Sequence, residues 1–192
     1  MATTSSSNTT GGALIVPGRP VPRPTSRRGW LEIGRALISE MRHQYTIPEG
    51  LQTIAIGWTD IPELSTRRFP GASREIRAVT SHLPTPSQHI VTPRQNAQFQ
   101  DHAEQDVING FVDAVVKLGI KLSREPSPTL WMFVSQDVCS ACRQGNDGTH
   151  IEPGVLLQLS LRYQNLLISV GWETGAGDLG HISFLAGHRT AR

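Results

Sequence analysis

The chain has 192 residues, 38% of them hydrophobic and 18% charged, which suits one soluble globular domain with some chain to spare. A formal net charge of +2 excludes a surface built throughout to coat a polyanion, although a local basic groove remains open. Two cysteines, Cys139 and Cys142, are too few and too close for a disulfide framework, and no apolar stretch is long enough to span a membrane.

Residues 1–28 read as a tail or linker, rich in Ser, Thr, Pro and Gly, with four arginines and no acid. Within it, "GGALIVPG" holds a four-residue apolar run, well short of a signal-peptide core. The expectation is a soluble protein in a reducing space, the cytoplasm of the producing or target cell. The folded domain is expected over residues 29–192. Trp30, Ile33, Leu37 and Met41 recur at helical spacing and predict an amphipathic first helix. "LQTIAIGWTDI" predicts a strand stopped by Pro62. A polar, Arg-containing stretch leads to "REIRAVTSH", read as a second, weaker strand. Residues 83–98 hold three prolines and predict a long loop.

A helix is predicted over 102–118, ended by Gly119. "PTLWMFVS" predicts a buried central strand, and "CSAC" follows it at a strand-to-helix turn. "LQLSLRYQ" alternates like a strand but lacks β-branched residues, and it is read as a helix. "NLLISVGW" and "HISFLAG" are the last two strands. The Gly-rich connector "ETGAGDLG" between them is too short for a parallel crossover, so they form an antiparallel hairpin.

The 102–118 helix contains an anomaly. Ile108, Phe111, Val115 and Leu118 line one face, flanked by Val107 and Val112, and Glu104 falls in the same stripe one turn earlier. A carboxylate buried without a partner is costly unless it is protonated or meets a cation. Asp101 as N-cap with Glu104 three residues on would form a capping box, and Glu104 would then only reach back to the helix start. A different partner is also available. His102 sits at the first turn, and Cys139 and Cys142 face the same way on one helical turn. One imidazole and two thiolates make a three-ligand zinc set with an open fourth position for water, beside which Glu104 would find its partner. The cysteines could instead be a thioredoxin-like redox pair, or belong to a closed structural zinc site completed by His150 or His181.

With "DHAEQDVIN" on a helix, "LWMFVSQDVCSAC" on a strand leading to a helix, and "GVLLQLSLRYQNLLISV" as a further helix and strand, the chain resembles the cytidine deaminase-like superfamily. It is most similar to the bacterial polymorphic-toxin branch of DNA cytosine deaminases. The resemblance covers residues 50–187, and one departure is Val138 where the family usually has proline before the first cysteine. It implies an α/β three-layer sandwich with a five-stranded mixed sheet flanked by helices and an antiparallel C-terminal hairpin. It also implies one catalytic Zn2+ held by His102, Cys139 and Cys142, with Glu104 as the catalytic proton carrier. The implied reaction is hydrolytic deamination of cytosine to uracil in single- or double-stranded DNA, by a monomer that has a cognate immunity protein and no membrane partner. A free nucleoside, nucleotide or RNA deaminase is the enzymatic alternative. A non-catalytic zinc-stabilised interaction module is the alternative of another class.

Asn96, Ser135 and Arg94 lie where such a fold places substrate contacts. Arg67, Arg68, Arg74, Arg77 and Arg94 could meet phosphates or form an ordinary solvated face. Sixteen of the 18 basic residues are arginine, which suits phosphate contacts but would also follow from a GC-rich genome. Trp58, Trp131 and Trp172 are expected in the core, and His43, His82, His89 and His188 on the surface.

Overall fold

The computed structural model describes residues 18–50, 53–80, 82–93, 102–122, 126–139, 141–143 and 153–190. Six strands form one sheet in the order β2-β1-β3-β4-β5-β6: β1 (Ile54–Thr59), β2 (Phe69–Ala72), β3 (Thr129–Val134), β4 (Leu167–Glu173), β5 (Leu179–Leu185) and β6 (His188–Thr190). Only β3 and β4 run parallel, with Val134 opposite Trp172, and helix α4 (Val155–Arg162) makes the connection between them. The remaining helices are α1 (Arg27–Tyr45), α2 (Arg74–Val79) and α3 (Ala103–Lys117).

Strand alternation sorts the side chains of the central strands into two cores. Ile54, Ile56 and Trp58 of β1 join Trp131 and Phe133 of β3 against Trp30, Ile33, Leu37 and Met41 of α1. Ala55 of β1 and Leu130, Met132 and Val134 of β3 face the other way, onto α3 and α4. The three tryptophans expected in the core are buried there. α1 is capped by Ser26, whose hydroxyl accepts the Gly29 N–H at 3.0 Å. α3 closes at Leu118, and the chain leaves through Gly119 at φ +62, a left-handed position that glycine occupies without Cβ strain.

Four expectations need correction. "REIRAV" is helix α2, not a strand: Ile76 is buried and Val79, one turn on, is 71% exposed, so there is no two-faced alternation. The second strand is the preceding "FPGA". Proline is tolerated there because β2 is an edge strand, paired only with β1. The sheet has six strands rather than five, because Ala186 and Gly187, both at positive φ, turn the chain back into β6. Leu118, placed in the apolar stripe of α3, is 46% exposed at the helix end. Residues 18–28, assigned to the tail, include buried Val21, and Arg23 pairs with Asp60 at 2.7 Å.

The helical reading of "LQLSLRYQ" and the antiparallel final pair agree with α4 and β4–β5. No helix among the described residues is long and apolar enough to cross a membrane.

The first turn of α3 lies hard against β2. A Cβ on Gly71 would fall 1.9 Å from the Ala103 carbonyl oxygen, so only glycine lets strand and helix approach this closely. Gly71→Ala is expected to lower stability by about 1–3 kcal/mol, the usual range for overpacking, in a denaturant titration. Gly175→Ala, at a position with nothing within 4 Å, should leave the midpoint unchanged.

Candidate metal centre

The centre forms where α3 begins and β3 ends. His102 is the N-cap of α3, with extended backbone at φ −88 and ψ 142, and Ala103 and Glu104 open the helix behind it. Glu104 is therefore the second helical residue. The N-cap is His102, which makes no side-chain cap hydrogen bond, and Asp101, the alternative N-cap for a capping box with Glu104, lies outside the described residues.

On the sheet side, Ser135 continues β3. Its backbone N–H donates to Ile54 O at 2.9 Å, and its hydroxyl accepts the Ile54 N–H at 3.0 Å. Val138 is 2% exposed and sits in the α3–α4 core, so the chain beyond the strand is pinned by an apolar contact. Cys139 O then accepts N–H bonds from Cys142 at 3.2 Å and Arg143 at 3.1 Å, closing one helical turn with both thiols on it. Cys142 O in turn accepts the Leu156 N–H at 3.1 Å, which ties the turn to the first residues of α4.

His102 Nδ1 lies 3.1 Å from Cys142 Sγ and 3.4 Å from Cys139 Sγ. The three donor atoms all lie within 4.8 Å of one another. Around a tetrahedral zinc ion, with Zn–S near 2.3 Å and Zn–N near 2.0–2.1 Å, a nitrogen and a sulfur donor sit about 3.5 Å apart. The donor set and its spacing therefore fit a metal ion such as zinc. Cys142 is fully buried, His102 half-buried and Cys139 exposed, so the cluster opens to one side. Both cysteines are free thiols. His181, weighed as a fourth ligand, is instead hydrogen-bonded to Ser169 at 2.9 Å, and His150 lies outside the described residues.

The electrostatics of the cluster are asymmetric. A hydrogen bond from Cys142, followed by the neighbouring His102, outweighs burial and brings the Cys139 thiol down to about 4. Burial, then the hydrogen bond its thiol gives to Cys139 and the nearby Glu104 charge, push Cys142 well above the ordinary thiol range. Glu104 is 2% exposed and its carboxyl is raised, chiefly by burial and further by the Cys139 charge. Its own backbone N–H, His102 and the Cys142 thiol pull the other way. Glu104 stands beside the ligand cluster without belonging to it.

A cleft of about 240 Å³ reaches this group, lined by His102, Ala103, Glu104 and Cys139 and by Thr53, Ser73, Arg74, Glu75, Gln136 and Asp137. Ser135 is not among the lining residues, since its hydroxyl serves β1. Asn96 and Arg94 lie outside the described residues. Of the arginines considered as phosphate contacts, Arg74 alone among the described residues lines the cleft. Arg77 is bound to Asp106, and Arg68 donates to the carbonyls of Arg19, Thr66 and Arg67.

Two sets of anchors on α3 escaped the sequence reading. Asp106 accepts the Ala72 N–H at 3.2 Å and the Arg77 guanidinium at 2.5 Å, joining α3 to β2 and α2. Gln105, Asn109 and Asp113 form a polar ladder at four-residue spacing along a second side. Gln105 accepts from Thr92 N–H at 2.7 Å, Asn109 from His89 and Ile90 N–H at 3.1 and 2.9 Å, and Asp113 from Ser87 N–H at 2.8 Å. His89, expected as a free surface residue, closes on Asp113 at 2.6 Å. The available signal was the Gln-x3-Asn-x3-Asp spacing, which places acceptors on one helix stripe beside a proline-rich loop.

Comparison with protein-family models, with curated proteins and with solved structures finds no match.

Purified protein should carry about one zinc ion per chain by elemental analysis. Cys142→Ser or His102→Ala should lower the content about tenfold or more, while Glu104→Gln retains it.

Proposed function

We propose that the protein is a zinc-dependent deaminase that hydrolyses cytosine to uracil in DNA. The observation that carries this reading is the buried Glu104 carboxyl beside a His–Cys–Cys donor set that opens to a cleft. A structural zinc site has no use for a costly buried acid at its edge, and a redox dithiol has no use for the histidine. Supporting it are the fold features shared with the cytidine deaminase-like three-layer sandwich: helices on both faces of a mixed sheet, the donor turn at the end of a central strand, and an antiparallel C-terminal pair. The sixth strand goes beyond the five that the resemblance implies.

In this reading His102, Cys139 and Cys142 would hold one zinc ion. When bound, the ion would supply the Lewis acidity that makes a water molecule acidic near neutral pH. Glu104 receives the proton of the attacking water on a carboxylate oxygen and carries it to N3 of the cytosine ring. Oxygen bonds to C4, the C4–N4 bond breaks, and Glu104 helps protonate the departing ammonia, so that cytosine and water become uracil and ammonia. Burial serves this role: a carboxyl with a raised pKa accepts a proton readily and releases it to a basic nitrogen. The cleft walls, with Thr53 donating to Gln136 Oε1 at 2.7 Å, give a fixed polar surface against which one pyrimidine can be oriented. A cleft of about 240 Å³ has room for a single nucleotide base rather than a stacked pair, so a duplex cytosine would enter extruded from its stack. As a toxin domain the protein would be paired with an immunity protein that covers this opening.

Zinc-loaded protein incubated with cytosine-containing single- and double-stranded oligonucleotides should yield uracil, scored by glycosylase-dependent strand cleavage. Glu104→Gln should slow turnover by about 10²- to 10⁴-fold at unchanged zinc content. Zinc at full occupancy with no conversion of DNA, RNA or free nucleosides would instead identify a metal-stabilised interaction module.

A further inference from the structure

Two polar side chains in the cleft are placed by the register of the sheet. Thr53 stands one residue before β1, opposite Gln136, which stands two residues beyond β3. Backbone bonds fix both: Ser135 N–H donates to Ile54 O at 2.9 Å, the Ser135 hydroxyl accepts the Ile54 N–H at 3.0 Å, and Ser73 N–H donates to Thr53 O at 2.9 Å. Alternation puts Thr53 on the same face as Ala55, and Gln136 on the same face as Val134. Ala55 and Val134 belong to the core under α3. Thr53 and Gln136 therefore extend that face, and they line the cleft together with His102 and Glu104.

The Thr53 hydroxyl donates to Gln136 Oε1 at 2.7 Å, which fixes the orientation of the amide. The amide is then presented through its nitrogen, which carries two N–H groups. Gln136 has a further interaction in the chain, and two donors allow it one partner in the protein and one in the cleft. On the edge of cytosine that bears the amine, the acceptors are N3 and O2. N3 is the atom to which Glu104 carries its proton. O2 is the acceptor that remains for an N–H donor.

Resting on the deaminase reading above, we infer that Gln136 reads the O2 carbonyl of cytosine and makes the site specific for cytosine over adenine. The two bases are alike around the reacting carbon, since each has an amine on a carbon next to a ring nitrogen. They differ one atom further on, where cytosine has C2=O and adenine has C2–H. Opposite a C–H, a donor taken out of water gains no acceptor. A site built to hydrogen-bond a group rejects a ligand that lacks it more strongly than an apolar pocket does. Thr53 is the positioning residue: turning the amide oxygen toward the ring would cost the bond to its hydroxyl.

The test uses the full, zinc-loaded chain and single-stranded oligonucleotides that differ in one central base: cytosine, 2-thiocytosine or adenine. Binding is followed by fluorescence anisotropy, and turnover by mass spectrometry of the released nucleosides. Sulfur is a weak acceptor, so 2-thiocytosine weakens the O2 contact and keeps the ring. Wild type should favour cytosine over 2-thiocytosine about tenfold in binding and in kcat/KM, and leave adenine unconverted. Gln136→Leu should bring the oxo–thio ratio to about one at unchanged zinc content. Thr53→Val should lower the ratio to about threefold, while Thr53→Ser, which keeps the hydroxyl, retains it. A ratio measured on one protein does not depend on how much of that protein is folded.

An oxo–thio ratio that Gln136→Leu leaves unchanged would overturn the inference. So would a wild type that converts adenine as fast as cytosine, or one with no oxo–thio preference in either measurement. In each of these cases conversion of cytosine leaves the deaminase reading standing. A wild type whose binding preference is lost in Gln136→Leu, but which converts no base, contradicts the deaminase reading alone and supports the role of Gln136.

Discussion

The whole site depends on one convergence, that of a histidine at the start of a helix with two sulfurs on the turn after a central strand. Neither element could place these atoms by itself. His102 is an N-cap, so its ring position follows the first turn of α3, and that turn is set by what it packs against. Gly71 lets β2 come within touching distance of the Ala103 carbonyl. The cysteine turn is fixed from the other direction by buried Val138, by the Ser135–Ile54 exchange that extends the β1–β3 pairing, and by the tie from Cys142 to α4. The distances of 3.1 and 3.4 Å between imidazole nitrogen and sulfurs result from two independently anchored pieces of backbone meeting.

Glu104 shows why the anchoring has to be so firm. A buried acid would be relieved if the helix start could rotate or fray toward water. The residues that follow it prevent this. Gln105 is held by Thr92 on one side and Asp106 by Ala72 and Arg77 on the other, and all three consecutive polar residues are buried. A helix turn that buries a Glu, a Gln and an Asp in succession, two of them satisfied by the neighbouring chain, is built for position rather than stability. The structure keeps the remaining one, the Glu104 carboxyl, in a place where its charge is unwelcome, next to the His102, Cys139 and Cys142 donor cluster.

The order of the long elements was legible in the sequence because periodicity and length agree there. α1 and α3 carry helical stripes, β1, β3 and β4 carry apolar runs, and the short Gly-rich link fixed the sense of the final pair. The meeting of His102 with Cys139 and Cys142 and the burial of Glu104 were legible too, but only when the acid in the apolar stripe was read together with the C-x-x-C pair and the family resemblance. What escaped was decided by contacts between distant parts of the chain. β2 contains Pro70 and Gly71, both unfavourable strand residues, and it is a strand only because it forms the edge of the sheet and must let α3 approach. The turn into β6 uses Ala186 at positive φ, where local preference expects Asn, Asp or Gly. Ser135 was placed near the cleft by element order. Its hydroxyl proved to be engaged with the β1 backbone, a bond that depends on strand register and that no local pattern announces.

The proposed centre has one imidazole and two sulfurs holding a zinc ion with a position left open beside Glu104. Zinc K-edge X-ray absorption on the purified protein addresses it most directly. The expected spectrum has two sulfur neighbours at about 2.3 Å and two lighter neighbours at about 2.0–2.1 Å, one of the latter exchangeable for an added small anion. A spectrum without sulfur neighbours, a closed shell that ignores added anion, or protein that holds no zinc and has its two cysteines joined would contradict it.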